Sequence, residues 1–283
     1  MNILTFDIEE WFHILDNDST KTENDWVGYE SRIYANMDRI FQLLDDYNVK
    51  ATFFCLGWIA KKHPEIIKRI DAMGYEIGSH SNMHQLAYEM NQKEFDEDLK
   101  KSIVEIENLI GKKVEYYRAP GFSIKESNLW TLESLSEHGI VADSSIFPAS
   151  RAHGGIENFS ETSPCLISYN GLKIKEFPIN TMNFLGKRMI FSGGGYFRLL
   201  PYSLIRQESR KAKYIMTYFH PRDFDYDQPI INGLGMFRKF KSYYGLKKCE
   251  PKLRRWLSNF EFTDLSTAIG EIDWKKVNTI ELN

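Results

Sequence analysis

Cysteine is scarce in this chain. Cys55, Cys165 and Cys249 are odd in number and far apart, and Cys55 lies in an apolar run. That pattern excludes a disulfide framework or a cysteine metal knuckle and is read as reduced thiols. Long apolar runs are missing as well, so no transmembrane segment is expected. No basic, apolar, small-residue leader precedes Met1-Asn2-Ile3-Leu4, and the expectation is a cytoplasmic protein whose fold begins at the first residue. Charge of one sign is equally absent: 36 Lys and Arg against 39 Asp and Glu give a net charge of -3. With the two signs interspersed there is no basic field to draw phosphate backbones, and nucleic acid is dropped as a partner. What is present is 42% hydrophobic and 27% charged residues over 283 positions, enough for a large core. No repeat, low-complexity tract or linker divides the chain, which reads as one domain over 1–283.

Taken in order, the chain alternates short apolar runs with helical patterns. Ile3 to His13 opens with strand-like alternation that puts Thr5, Asp7 and Glu9 on one face and Phe6, Ile8 and Glu10 on the other. Ile33, Met37, Ile40, Phe41 and Leu44 recur at helical spacing behind Ser31, a suitable cap. Strands follow at Ala51–Leu56, Tyr75–Ser79 and Val114–Tyr117. Between them lie helices from Trp58 to Met73, interrupted at His63-Pro64, and from Lys93 to Ile110, which Gly111 closes. A helix from Glu126 to Glu137 leads to a strand ending near Asp143. Such alternation predicts an α/β fold, a parallel sheet wound by helices. The rhythm breaks over 147–190, read as a loop and strand insertion over the active end. After it, Ser192-Gly193-Gly194-Gly195 reads as a glycine run that lets backbone approach a ligand closely. It lacks the lysine and spacing of a phosphate loop. Pro201–Lys211 reads as a helix and Tyr214–Phe219 as a strand. The basic, aromatic remainder, 235–283, is expected to pack on the sheet as a helical layer, with Phe237, Phe240, Tyr243 and Tyr244 at helical spacing and a last strand near Phe260–Thr263.

Chemistry concentrates at strand ends. Asp7, His80, Arg118, Asp143 and His220 each close a different predicted strand, the rim where wound α/β folds gather catalytic groups. His80 and His84, four apart, share one face if the segment coils into a helical turn, and both rings could then reach one metal ion. Carboxylates packed as densely as Asp7, Glu9 and Glu10 need a metal, an arginine or a proton to be tolerable.

These stretches resemble the polysaccharide deacetylases of the NodB-homology type, carbohydrate esterase family 4, and within it the branch associated with exopolysaccharide gene clusters. The resemblance rests on Thr5-Phe6-Asp7-Ile8-Glu9-Glu10-Trp11-Phe12, Ala51-Thr52-Phe53-Phe54, Gly74-Tyr75-Glu76-Ile77-Gly78-Ser79-His80, Tyr117-Arg118-Ala119-Pro120, Asp143-Ser144-Ser145-Ile146-Phe147-Pro148 and Gly194-Gly195-Tyr196-Phe197-Arg198. It implies a distorted (β/α) barrel and a divalent metal, usually zinc, with cobalt or nickel as alternatives, held by one carboxylate and two histidines. Carried over, Asp7 is the base, His80 and His84 are the metal histidines, Arg118 orients the base, His220 is the acid and the Gly121 amide stabilises the oxyanion. Asp143 supports Arg118 or His220. The family has two adjacent aspartates where this chain has Asp7-Ile8-Glu9-Glu10, so the metal carboxylate is Glu9 by strand alternation, or Glu10 if the chain bends after Ile8.

The implied reaction is metal-assisted amide hydrolysis, releasing acetate from an N-acetylated sugar or glycan in surface-glycan biosynthesis. Trp11, Tyr196 and the loop around Arg151 are the candidate sugar contacts, with His153 beside them. A small cyclic amide as substrate, a catalytically silent glycan-binding role, and association into a homo-oligomer stay open. A zinc protease is excluded, because Ser81 stands where its glutamate belongs.

Overall fold

The computed structural model describes residues 1–15, 17–149, 154–159, 161–184 and 186–282. Its strands are β1 (Asn2–Ile3), β2 (Thr5–Ile8), β3 (Thr52–Cys55), β4 (Glu76–Ser79), β5 (Tyr116–Tyr117), β6 (Ala142–Asp143), β7 (Cys165–Tyr169), β8 (Leu172–Glu176), β9 (Met182–Phe184), β10 (Lys187–Met189), β11 (Ile215–Met216) and β12 (Thr279–Glu281). Eight of them form one sheet in the order β12-β7-β8-β6-β5-β4-β3-β2. From β2 to β6 every pairing is parallel, in the registers Thr5↔Thr52, Thr52↔Glu76, Ser79↔Tyr117 and Tyr117↔Asp143. Parallel neighbours need a crossover, and helices Ile33–Tyr47, Gln92–Ile110 and Thr131–Glu137 supply three of them.

The sheet continues past β2. β11 pairs with β1, the Phe6↔Phe219 bridge extends that pairing, and the Asp7 amide donates to the Phe219 carbonyl at 2.7 Å. Gly193 then bridges to Tyr218. On the far side the Tyr214 hydroxyl donates to the Pro178 carbonyl at 3.0 Å, and the Met216 amide to Asn180 Oδ1 at 3.0 Å. Polar links of this kind tie the segment after β8 to the segment around β11, so the sheet curls round a buried centre.

Both faces of β2 are buried. Phe6 stacks on Phe53 at 5.3 Å within the main core, whereas Thr5 and Asp7 point at the guanidinium of Arg118. A strand buried on both sides and polar on one is costly unless every polar group is paired, and here the pairing is supplied across the sheet.

Several expectations change. The 147–190 stretch does more than cover the active end: β8 enters the main sheet beside β6, and β7 turns back antiparallel on it. Thr263 makes only a bridge to Ile3, and the last strand is β12, parallel to β7. The glycine run leads into a helix, Gly194–Leu199. Glycine is needed there because a Cβ on Gly193 would lie 2.0 Å from the Tyr218 carbonyl oxygen and one on Gly194 2.8 Å from the Tyr218 ring. The close approach that these glycines admit is that of Tyr218. The helix Glu126–Glu137 is a 3-10 turn, Glu126–Asn128, followed by Thr131–Glu137. All three cysteines are buried and unpaired.

Candidate active site

Asp7 and Arg118 form the centre. The two are fully or nearly fully buried, and Arg118 Nη1 donates to Asp7 Oδ1 and to Thr5 Oγ1, each at 2.7 Å. Its other nitrogens reach the Ser144 carbonyl, the Ser144 hydroxyl and the Thr217 carbonyl, and its plane stands 4.3 Å over the Phe54 ring. A planar, delocalised cation suits such a site better than an ammonium would. Asp7 Oδ1 is thereby engaged, and Oδ2 faces His220, whose Nε2 is 3.9 Å away.

Glu9, His80 and His84 come together as expected. One donor atom from each lies within 4.8 Å of the other two. His80 Nδ1 is 2.7 Å from the Arg118 carbonyl. A carbonyl can only accept, so Nδ1 carries the proton and Nε2 presents a lone pair. Burial pushes the His80 imidazole down to about 4, against the pull of Asp7, which keeps it neutral near pH 7. Glu9 is held down to about 2: burial opposes ionisation, but the charge and contact of His84, helped by His220 and His13, outweigh it. Its Oε2 is 2.6 Å from His84 Nε2, yet this buried oxygen makes no hydrogen bond with proper angles. A carboxylate and an imidazole aimed past one another at short range fit a shared cation better than a direct bond, and one oxygen with two nitrogens is a donor set that zinc accepts.

The histidine pair is not on a helix. Ser81 and His84 have φ values of 69 and 56, the segment is a bend, and the amides of Asn82 and Met83 donate to Asp98 at 2.7 and 3.1 Å. The expected helical turn gives way because this carboxylate, from helix Gln92–Ile110, takes the amides and folds His84 back toward His80.

Glu10 points elsewhere. It accepts from the Ser31 hydroxyl at 2.5 Å and from the amides of Arg32 and Ile33 at 3.0 and 3.2 Å. It caps helix Ile33–Tyr47, the role expected of Ser31. The structure thus sets Glu9, the residue that strand alternation singled out, beside His80 and His84, and turns Glu10 away from them.

His220 is held from behind by Asp223. Its Nδ1 is 3.0 Å from Asp223 Oδ2, which also accepts the His220 amide at 2.9 Å, and Arg198 Nε stands 3.2 Å from Asp223 Oδ1. Burial alone would lower the imidazole, but the bond and charge of Asp223, with Glu9 and Asp7 adding, carry it up to about 9. Asp223 was not foreseen, although an acid three residues after a histidine and two after a proline is a helix-start signal. Asp143 does not take that place. Its carboxyl bonds the Ser145 hydroxyl at 2.5 Å and faces Glu176 from β8. Burial and then the charge of Asp143 push Glu176 well above the carboxylate range. Asp143 thus acts on the loop behind Arg118 rather than on Arg118 or His220.

Gly121, with φ 62, sits in the Pro120–Phe122 turn just after Arg118. Trp11 is 2% exposed, donates Nε1 to the Glu30 carbonyl at 2.9 Å and is edge-on to Tyr29. It is a packing residue, not a sugar platform. Tyr196 is half-buried on helix Gly194–Leu199, while Tyr218 stands edge-on to His220 at 5.8 Å between centroids. Arg151 and His153 lie outside the described residues. A cavity of about 180 Å³ lined by Ile14, Leu15, Trp26, Met83, His84 and Leu86, among others, opens beside the cluster.

Residues 25–141 match the family model for polysaccharide deacetylase, and residues 144–270 match a domain of unknown function, DUF3473. A Bacillus cereus peptidoglycan-N-acetylglucosamine deacetylase is 32% identical over 117 residues, covering 37% of this chain and 42% of that protein. A Helicobacter pylori peptidoglycan deacetylase is 33% identical over 112 residues, 40% of this chain and 37% of its own length. The chain therefore spans about two fifths of the curated relatives it matches. A solved Mycobacterium smegmatis protein, a candidate polysaccharide deacetylase, superposes with a TM-score of 0.68 at 20% identity, over 100% of this chain and 93% of that one. Over residues 25–141 the chain is thus similar to polysaccharide deacetylases, and its α/β fold is that of the Mycobacterium smegmatis structure. The two family matches divide its site: His80, His84 and Arg118 fall in one, Arg198, His220 and Asp223 in the other, and Asp7 and Glu9 precede both.

Proposed function

We propose that the protein is a metal-dependent hydrolase that removes N-acetyl groups from an N-acetylated sugar or glycan in surface-glycan biosynthesis, with acetate and a free amine as products. One observation carries the reading: Asp7 Oδ2 and Glu9 Oε1 both face His220 Nε2, at 3.9 and 4.0 Å, so a base, an acid and a ligand cluster share one buried centre. Glu9, His80 and His84 would hold the ion, most naturally zinc, with cobalt or nickel as alternatives. Bound there, such an ion supplies Lewis acidity toward a carbonyl and activation of water.

The chain supplies the proton transfers. Asp7, fixed at Oδ1 by Arg118, takes the proton of the attacking water at Oδ2. The Gly121 amide donates to the oxygen on which negative charge develops. His220, cationic at neutral pH because Asp223 holds it up at about 9, gives its Nε2 proton to the departing sugar nitrogen. Three buried, unpaired cysteines suit a reducing compartment, and on that ground the reading places the enzyme in the cytoplasm, acting before the glycan is exported; fractionation of cells tests this.

The direct test measures bound metal per chain and acetate release from N-acetylated sugars and oligosaccharides, for the parent and for His80→Ala. Near-stoichiometric metal lost in the variant, with acetate from the parent alone, is the expected result. No metal after reloading with zinc, cobalt or nickel would turn the reading toward a silent glycan-binding protein. Metal without acetate would turn it toward another amide.

A further inference from the structure

Residues 228–249 contain Arg238, Lys239, Lys241, Lys247 and Lys248 and no aspartate or glutamate, in a chain whose net charge is -3. Within them helix Met236–Tyr243 buries only Ser242. Its apolar side chains face out: Met236 is 91% exposed, Phe237 71%, Phe240 48% and Tyr244, just beyond, 45%. The expectation that this aromatic stripe packs on the sheet is overturned. Lys241 Nζ stands 4.4 Å from the Phe237 ring centroid, and the Phe240 and Tyr244 rings are 4.7 Å apart. Tyr226 and Ile230, half exposed, extend the apolar surface to the preceding loop, where Lys247 reaches over Tyr226.

The helix is firmly attached through its polar groups. Arg238 Nη2 donates to the Leu15 carbonyl at 2.7 Å, the Tyr243 hydroxyl accepts the Ile231 amide at 2.9 Å, and Arg198 donates to the carbonyls of Lys241 and Ser242, each at 2.9 Å. Its aromatics are therefore presented outward by a fixed element.

We propose that this face docks on the headgroup layer of an anionic lipid bilayer. Exposed aromatics, with Lys241 over Phe237 and Lys247 over Tyr226, on and beside a helix lacking acids, match such a layer in both polarity and charge. A second copy of the chain fits poorly, since a two-fold contact would set two basic faces against each other and lysine is depleted from interface cores. The docking does not depend on the proposed reaction. Its consequence for the site is geometric: Arg198 joins the helix to Asp223, and Arg238 joins it to Leu15 in the wall of the cavity beside His84. A docked molecule keeps its catalytic rim close to sugars carried on lipids.

Co-sedimentation of the full chain with phosphatidylcholine vesicles, with and without phosphatidylglycerol, tests this. The parent should pellet with the anionic vesicles, stay in solution with the neutral ones, and be released by salt. Phe237→Ser with Phe240→Ser should weaken binding about tenfold or more, and Lys239→Gln with Lys241→Gln about fivefold per lysine. Circular dichroism confirms that these surface variants are folded. Parent protein left in solution with anionic vesicles, or variants that bind as the parent does, would overturn the proposal. So would a concentration-dependent dimer in sedimentation velocity that the two serine substitutions abolish, since that assigns the face to a second copy.

Discussion

Glu9 and Glu10 are covalent neighbours with opposite surroundings. Glu9 looks into the centre and Glu10 back to a helix start, so their conservative amides separate the two roles. Glu9→Gln should abolish metal retention, and with it the stabilisation that a bound cation supplies, while leaving the Glu10 cap intact. Glu10→Gln should retain metal and cost about 1 kcal/mol through the weakened cap; metal analysis and urea denaturation read both. At His220 the decisive neighbour is Asp223. Asp223→Asn should bring the imidazole from about 9 down toward the ordinary value of about 6.5, read by NMR titration of the protein stripped of metal. The sign follows from linkage: a raised folded-state value stabilises below the unfolded value and the contribution is lost as pH rises through about 9. The parent should lose stability between neutral pH and that point more steeply than the variant. The alternation of Thr5-Phe6-Asp7-Ile8-Glu9 made the choice of Glu9 legible, because period two is a property of the strand alone. Asp98 and Glu176 carried no such signal, since what each touches depends on another element.

Elements here are shaped by what crosses them. The His80–His84 segment has helical spacing but bends, because Asp98 competes for its amides. The glycine run reads like a ligand cradle, yet its glycines admit Tyr218. Gly193→Ala should therefore destabilise the fold by about 1–3 kcal/mol or more, since its Cβ meets backbone that cannot yield. Gly28→Ala, where nothing lies within 4 Å, should stay within about 0.5 kcal/mol. Thermal denaturation of the pair checks the contrast. Strand and helix positions up to Asp143 were largely legible from apolar periodicity. The regions that escaped, β8 in the main sheet, β12 on β7 and the outward-facing helix Met236–Tyr243, share one cause: periodicity says that a face is apolar, not what it faces.

For the molecule as a whole, the centre ties segments far apart in sequence, from Asp7 to Asp223. A cation held by Glu9, His80 and His84 would bind the folded state only. At a free zinc concentration a hundredfold above its dissociation constant it should add about 2.7 kcal/mol of stability. Differential scanning fluorimetry should show a rise in melting temperature with zinc that EDTA reverses and that His80→Ala lacks. A rise preserved in that variant would place the ion elsewhere.

The sequence by itself determined the alternation of strands and helices, the strand-end positions of Asp7, His80, Arg118 and His220, and the face on which Glu9 lies, because these follow from local periodicity and turn chemistry. Only the tertiary structure decided that Asp223 rather than Asp143 holds His220, that Glu10 caps a helix, that Trp11 is buried and that Phe237 is not. Each of those depends on which distant segment the curled sheet brings alongside, and the desolvation and pairing of a side chain are set by that neighbour rather than by its own position in the chain.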